Sequence, residues 1–298
     1  MVNTLLRAGR LIRTVASPAR RAARRRFKTY EEIFGAIESG TVVVHAPQFG
    51  GSFEMDCRSH SLKRLLIDGC YETDVVETVN RLVDPNRDAI DVGANIGFFT
   101  MLMSNRLSPP NRILAIEPTP GAFCHLRNNI ERNQRGNVEL FQGVAAETDG
   151  EFQINTIAGL EEYSSLVRMV HPSIRGVPHR QITVAGKTID RLVEEFGLRP
   201  GIIKIDTEGA EYGVLAGCEQ TMKIHRPVIL CEAWPDRLLS AAGARPGSVR
   251  ELLLARGYVV QQSVQGEILA VPHGETSTTW EQAPHAPASS SAESTQTT

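Results

Sequence analysis

Between residues 41 and 272 short apolar runs alternate with longer stretches whose apolar residues recur every three or four positions. Thr41–Val44 is β-branched and predicts a short strand, with Ser52–Met55 able to pair with it. Leu62–Val83 has helical spacing, interrupted near Gly69. Asp88–Val92 (DAIDV) has the composition of a strand buried on both faces, and it runs into GANIGFF. Phe98–Leu107 follows as a helix stopped by Pro109–Pro110. Arg112–Ile116, Val138–Val144, Ile202–Ile205 and Val228–Cys231 predict further strands, with helices over Ala122–Asn133, Ile189–Phe196, Glu211–Ile224 and Val249–Arg256. Glu151–Ile157 and Gln181–Val184 are strand-like and flank a polar insertion, and Tyr258–Gln262 with Glu267–Val271 predicts a closing hairpin around Gly266. Alternating βα units with short loops call for a doubly wound α/β sheet, whose ligand lies beyond the carboxyl ends of the strands.

Composition narrows the class. With 298 residues, 41% apolar and 22% charged, the chain can bury one substantial core, with at most a small annex. It is neither a disordered polyelectrolyte nor a disulfide-stapled secreted module. Its apolar runs are all shorter than the ~18 residues of a membrane-spanning helix. The five cysteines form no CxxC pair and are odd in number, which fits reduced thiols of a cytoplasmic protein.

Charge is segregated. Residues 1–28 carry eight Arg, one Lys and no acid, so a net charge of -2 leaves the remainder at -11. An acidic body argues against a nucleic-acid partner. Three readings of the basic arm stay open: a solvated flexible tail, a weak membrane-surface helix that would make the protein membrane-peripheral, and an organelle transit peptide. The Ser/Thr/Ala/Pro-rich segment 273–298 is expected to be a disordered tail. The expected organisation is an arm over 1–28, a strand and helix extension over 29–87, a catalytic domain over 88–272 and the tail.

Three clusters carry chemistry. Asp91, Gly93, Asn95 and Gly97 lie in a strand-to-helix turn where glycines admit a ligand to the backbone and the helix offers free N–H groups. A G-x-G-x-x-G dinucleotide fingerprint fails, because the second and third glycine positions are Asn95 and Phe98. Asp91 suits an ammonium or sulfonium ligand better than a pyrophosphate. Glu117 ends the next strand, where an acid can accept hydrogen bonds from both ribose hydroxyls of an adenosine. At the end of Ile202–Ile205, Lys204, Asp206, Glu208 and Glu211 put one lysine and three acids within eight residues. Lys204 and Asp206 fall on one face at the strand tip, whereas Glu211 also suits a helix N-terminus. A trio of Asp206, Glu208 and Glu211 has the ligand chemistry for a hard cation, but no metal is expected.

The DVGANIGFF, EPTPGAFCHLRNN, KTID and KIDTEGAEYGVLAG blocks, with RPVILCE ending at Glu232, resemble the FkbM family of S-adenosylmethionine-dependent methyltransferases over about Ala89 to Glu232. The resemblance implies a Rossmann-like class I methyltransferase fold, with a seven-stranded, mostly parallel sheet and a C-terminal antiparallel hairpin. It implies S-adenosylmethionine as cofactor, with Phe98 and Ala145 beside the turn residues. It also implies transfer to a hydroxyl of a sugar, glycan or secondary metabolite. Asp206 is then the expected base or acceptor-orienting group, with Lys204 tuning its charge. Two other readings stay open: a nicotinamide-dependent oxidoreductase and a non-catalytic S-adenosylmethionine-binding scaffold. Among the scattered histidines, His171 and His179 in the insertion are the alternative bases, and Ser164 and Ser165 lie nearby.

Overall fold

A computed structural model describes residues 39–156, 180–232, 248–262 and 267–274, with a few positions between 22 and 33. The helical reading of the basic arm, the C-terminal tail, the serine pair, His171 and His179 all fall outside the described residues. No described helix is long and apolar enough to cross a membrane.

The strands are β1 (Thr41–Ala46), β2 (Gly51–Asp56), β3 (Asp88–Val92), β4 (Ile113–Ile116), β5 (Val138–Phe141), β6 (Val144–Ala145), β7 (Gly150–Thr156), β8 (Arg180–Lys187), β9 (Pro200–Ile205), β10 (Val228–Cys231), β11 (Tyr258–Gln262) and β12 (Ile268–Pro272). Seven of them form one sheet in the order β11-β12-β10-β9-β3-β4-β5. The five from β10 to β5 are mutually parallel, and β12 runs antiparallel to β10 and to β11. This is the doubly wound, Rossmann-like sheet with a closing hairpin that the alternation and the resemblance imply. Every residue of β3, β4 and β9 is buried, as expected of largely apolar strands covered on both faces. Asp88 is a buried polar residue at the lower end of β3. Its carboxylate accepts from the Arg112 N–H at 2.7 Å and the Arg199 N–H at 2.6 Å, fastening the strand to what flanks it.

Two expected elements divide. Val138–Val144 becomes β5 and a two-residue β6, which leaves the main sheet to pair with β8 in a separate three-stranded sheet. Between them a Cβ at Gly143 would come within 2.5 Å of the Ala185 carbonyl oxygen, so only a glycine lets the chain cross there. Glu211–Ile224 becomes two helices, Glu211–Ala216 and Glu219–Ile224. The Asp190 carboxylate causes the break by accepting from the Gln220 and Thr221 N–H groups, capping the second helix from outside.

The expected helix pair in the extension is present as His60–Asp68 and Thr73–Leu82, with Gly69 in the left-handed conformation that ends the first. This extension shares the domain's core: Phe49, Phe53, Met55, Leu62 and Val79 pack with Phe98, Met101 and Leu126. Its outer strand is also fastened by side-chain amides. Asn133 brackets Ser52, accepting from its N–H at 2.9 Å and donating to its carbonyl at 2.8 Å, and Asn129 does the same for Glu54. The extension therefore forms a fixed wall beside the strand tips.

Candidate functional site

The carboxyl ends of β3, β4 and β9 open into a cavity of about 640 Å³, within the usual size of a small-molecule site. Asp91, Gly93, Asn95, Phe98, Glu117, Ala145, Lys204, Asp206 and Glu208 all line it, and Gly97 sits just behind as the N-cap of helix Phe98–Ser104. Residues scattered over more than a hundred positions meet because parallel strands deliver their ends to one edge.

The glycines of the turn serve the fold first. Gly93 has φ +78°, and a Cβ there would lie 1.8 Å from the Asp206 carbonyl oxygen, so it lets β3 and β9 close on each other. A Cβ on Gly97 (φ +97°) would meet the Leu126 side chain at 2.7 Å. Gly93 also lines the cavity, so packing is a second reason for glycine there. Asn95, at φ +50°, donates its N–H to Glu117 Oε2 at 2.9 Å. Glu117 Oε1 accepts from the Thr119 N–H at 2.9 Å and the Thr119 hydroxyl at 2.6 Å. Glu117 thus ties the Gly-rich turn to the next loop through at least three hydrogen bonds. Phe98 stacks on Phe49, with ring centroids 4.5 Å apart, so most of its ring belongs to the core.

Asp91 is 1% exposed. Oδ2 accepts from the Thr100 hydroxyl at 2.6 Å, whereas Oδ1 is buried with no hydrogen-bond partner among the described residues. Burial pushes its carboxyl pKa up, and the Lys204 ammonium opposes that. An orphaned buried acceptor at a cavity wall costs free energy until a donor fills it. The ammonium group of S-adenosylmethionine has that chemistry, so the residues present fit the cofactor implied.

Lys204 is buried at the β9 tip, its Nζ 2.9 Å from Asp206 Oδ2 and 4.5 Å from the centre of the Phe99 ring. Burial alone would lower its pKa, but Asp206, Asp91 and Glu72 together outweigh burial and raise it. Among the described residues it is the one buried lysine of the cavity wall, beside several acids. Glu211 faces away from this pair: its Oε1 accepts from the Gly209 N–H at 2.9 Å, the Thr207 N–H at 3.2 Å and the Thr207 hydroxyl at 3.1 Å. Its contacts are those of a staple for the loop that carries Glu208.

Glu232 takes the place that the sequence reading gave to Glu211. Oxygens of Asp206, Glu208 and Glu232 lie within 4.8 Å of one another. Burial first, then Asp206, Glu208 and Glu211, push the Glu232 pKa up to about 10. Its position was visible in the sequence, since it ends the strand beside β9, but it was read as part of a motif and not as a site residue. Glu72 was missed altogether, because it lies in the extension with no motif around it.

The model of the Methyltransferase FkbM domain family matches residues 91–260. Methyltransferase 1 of Beauveria bassiana is 27% identical over 53% of this chain and 66% of its own length. The hexuronic acid methyltransferase AglP of Haloferax volcanii is 27% identical over 51% of this chain and 58% of its own. The crystal structure of an FkbM methyltransferase from Methylobacillus flagellatus KT superposes with a TM-score of 0.41 at 17% identity, covering 63% of this chain and 44% of that one.

Proposed function

The chain belongs to the FkbM methyltransferase family, whose domain model matches more than half of it, and on that premise we propose that it transfers a methyl group from S-adenosylmethionine to a hydroxyl oxygen of a sugar, glycan or secondary metabolite. The match to a methyltransferase domain sets aside the nicotinamide oxidoreductase alternative. The single observation that supports catalysis over mere binding is that one cavity joins the Asp91–Gly97 turn and Glu117 to the Lys204–Asp206 pair. The relative named for hexuronic acid supports the sugar part of this reading and not an acidic group on the sugar.

The cofactor supplies an already activated methyl group, so the protein's task is alignment and removal of one proton. Asp91 Oδ1 and Glu117 offer acceptors to the cofactor's ammonium and ribose groups. Asp206 is half-buried at the strand tip, with its second oxygen free to accept a hydrogen bond from the acceptor hydroxyl. As the hydroxyl oxygen takes the methyl group, its proton passes to the Asp206 carboxylate. Lys204 supplies the countercharge that fixes this carboxylate in place, and Glu211 holds the loop behind it.

The test is methyl-labelled S-adenosylmethionine with a panel of hydroxylated acceptors. Asp206→Asn should keep cofactor affinity by calorimetry while turnover falls by roughly 10²–10⁴, the scale of losing a general base. Turnover like that of the parent at saturating acceptor would remove Asp206 from the chemistry.

A further inference from the structure

The family match begins at residue 91, yet part of the cavity wall comes from before it: Arg64, Tyr71, Glu72 and Asp74 all line the space above the strand tips. Glu72 stands out among them. It is a non-glycine residue at φ 47°, ψ 50°, a left-handed conformation that costs free energy for a side chain with a Cβ. It is the N-cap of helix Thr73–Leu82, with its carbonyl accepting the Val76 N–H, but its side chain makes no capping hydrogen bond there. The neighbouring backbone is held firmly, because the Gln48 side-chain amide bonds both the N–H and the carbonyl of Tyr71. The Glu72 side chain is half-buried in the cavity wall, where its carboxylate accepts a hydrogen bond from Tyr71 and lies close enough to Asp206 and Lys204 to interact with both. Of the five non-glycine residues with positive φ among the described residues, three (Glu72, Asn95 and Glu208) line this one cavity.

The charge balance of the wall then limits what can enter. The permanent cations on it, among the described residues, are Lys204 and Arg64. Both are engaged: Lys204 with Asp206, and Arg64 with Asp68 at 2.7 Å. Facing them are Glu72, Asp91, Asp206, Glu208 and Glu232. Among the described residues, a carboxylate or phosphate on the acceptor would enter beside these carboxyl groups with neither cation unengaged to receive it, whereas a hydroxyl or ammonium group finds acceptors on two sides.

We propose that Glu72 binds the methyl acceptor from the extension side, and that the acceptor is a hydroxylated molecule without negative charge, a neutral or amino sugar and not a uronic acid or sugar phosphate. The inference rests on the methyl-transfer reading above and names the substrate class for that same site. Glu72 accepts a hydrogen bond from a hydroxyl or ammonium group next to the one being methylated, while Asp206 takes the hydroxyl that reacts.

The test uses the full chain, methyl-labelled S-adenosylmethionine and matched glycosides of neutral hexoses, their 2-amino forms and their 6-carboxylates. Label should enter the neutral or amino members at a kcat/KM at least roughly tenfold above that for the carboxylates. Glu72→Gln and Glu72→Gly should each raise the acceptor KM roughly tenfold, the scale of a hydrogen bond to a charged group, with cofactor affinity unchanged. Glycine relieves the left-handed strain, so the Glu72→Gly protein should melt no lower than the parent. A carboxylate as best acceptor overturns the proposal, as does a parent-like acceptor KM in both variants. A lower melting temperature with unchanged KM would make Glu72 merely structural. Label in no member of the three sets, with cofactor bound, also overturns it; failure to bind S-adenosylmethionine overturns the underlying methyl-transfer reading instead.

Discussion

Replacing Lys204 by methionine removes one charge while keeping a long unbranched side chain against the Phe99 ring. In the parent the ammonium faces Asp206 at 2.9 Å, and it also draws down the carboxyl pKa values of Asp91 and Glu267. Breaking a buried pair by removing one partner costs about 3–5 kcal/mol, because the remaining charge is left uncompensated. Asp206 is about one-third exposed and recovers some hydration, so the lower end of that range applies to it. Asp91 is fully buried and recovers none. The deficit must also depend on pH. Without Lys204, the folded-state values of Asp91 and of Glu267, already pushed up to about 7 chiefly by burial, rise further above their unfolded values. A carboxyl whose folded value is raised contributes stability at low pH that is lost as pH rises through that value. The variant therefore takes up protons on folding that the parent does not, and its deficit shrinks in acid by up to about 1.4 kcal/mol per pH unit per proton. Urea unfolding followed by circular dichroism, at about pH 8 and about pH 5, reads this directly. A deficit that is small at the higher pH, or the same at both, would refute the view that Lys204 offsets the acids around it.

Glu117→Ala should weaken S-adenosylmethionine binding and also lower stability by roughly 1.5–3 kcal/mol, since the Asn95 and Thr119 donors lose their acceptor along with the cofactor. Calorimetry and thermal melting measure the two effects, and an unchanged melting temperature would contradict the role of Glu117 as a tie between loops. Glu211→Gln should cost about 1–3 kcal/mol of stability, because one oxygen serves three donors in the 207–209 loop. Its turnover at low temperature, where the protein is still folded, should stay near that of the parent, and a fall like that of Asp206→Asn would place Glu211 in the chemistry.

The order of strands and helices could be read from the chain because burial on both faces leaves a strong mark. ILAI and the apolar positions of DAIDV and IIKI give that mark, and the structure buries all three runs completely. That Asp91, Glu117 and Asp206 share one cavity was legible for a related reason, because strand ends in a doubly wound sheet converge. What could not be read depends on contacts between distant segments. The helix break after Ala216 is set by Asp190, thirty residues away, and nothing in the local 3.6-residue spacing marks it. The packing reason for Gly93 is the carbonyl of Asp206 on another strand. Glu211 and Glu232 could not be told apart by spacing, since both follow strands at the same edge and only the turn of the 207–211 loop decides which one faces the cavity. Glu72 enters through the docking of the extension, which rests on Asn129 and Asn133 bracketing the backbone of β2.

β3 holds two buried aspartates, and comparing them separates acids that serve the fold from acids that await a ligand. Asp88 and Asp91 are the same residue type, three positions apart on one strand, both nearly inaccessible. Both oxygens of Asp88 accept backbone N–H groups of flanking segments, so its burial is offset within the protein. Asp91 has one oxygen bonded to Thr100 and one with no donor within the described residues, at the end of the strand that opens into the cavity. A fold that needed only packing there could have placed an apolar residue at no such cost, since replacing a buried charge by a hydrophobe of similar volume is often neutral or stabilising. The same reasoning reaches Glu232, whose Oε2 is buried without a partner among the described residues at the end of β10. Unsatisfied acids at the ligand end of the sheet, and a satisfied one at the other end, are the pattern expected of a site shaped around a positively charged cofactor and a hydrogen-bond-donating acceptor.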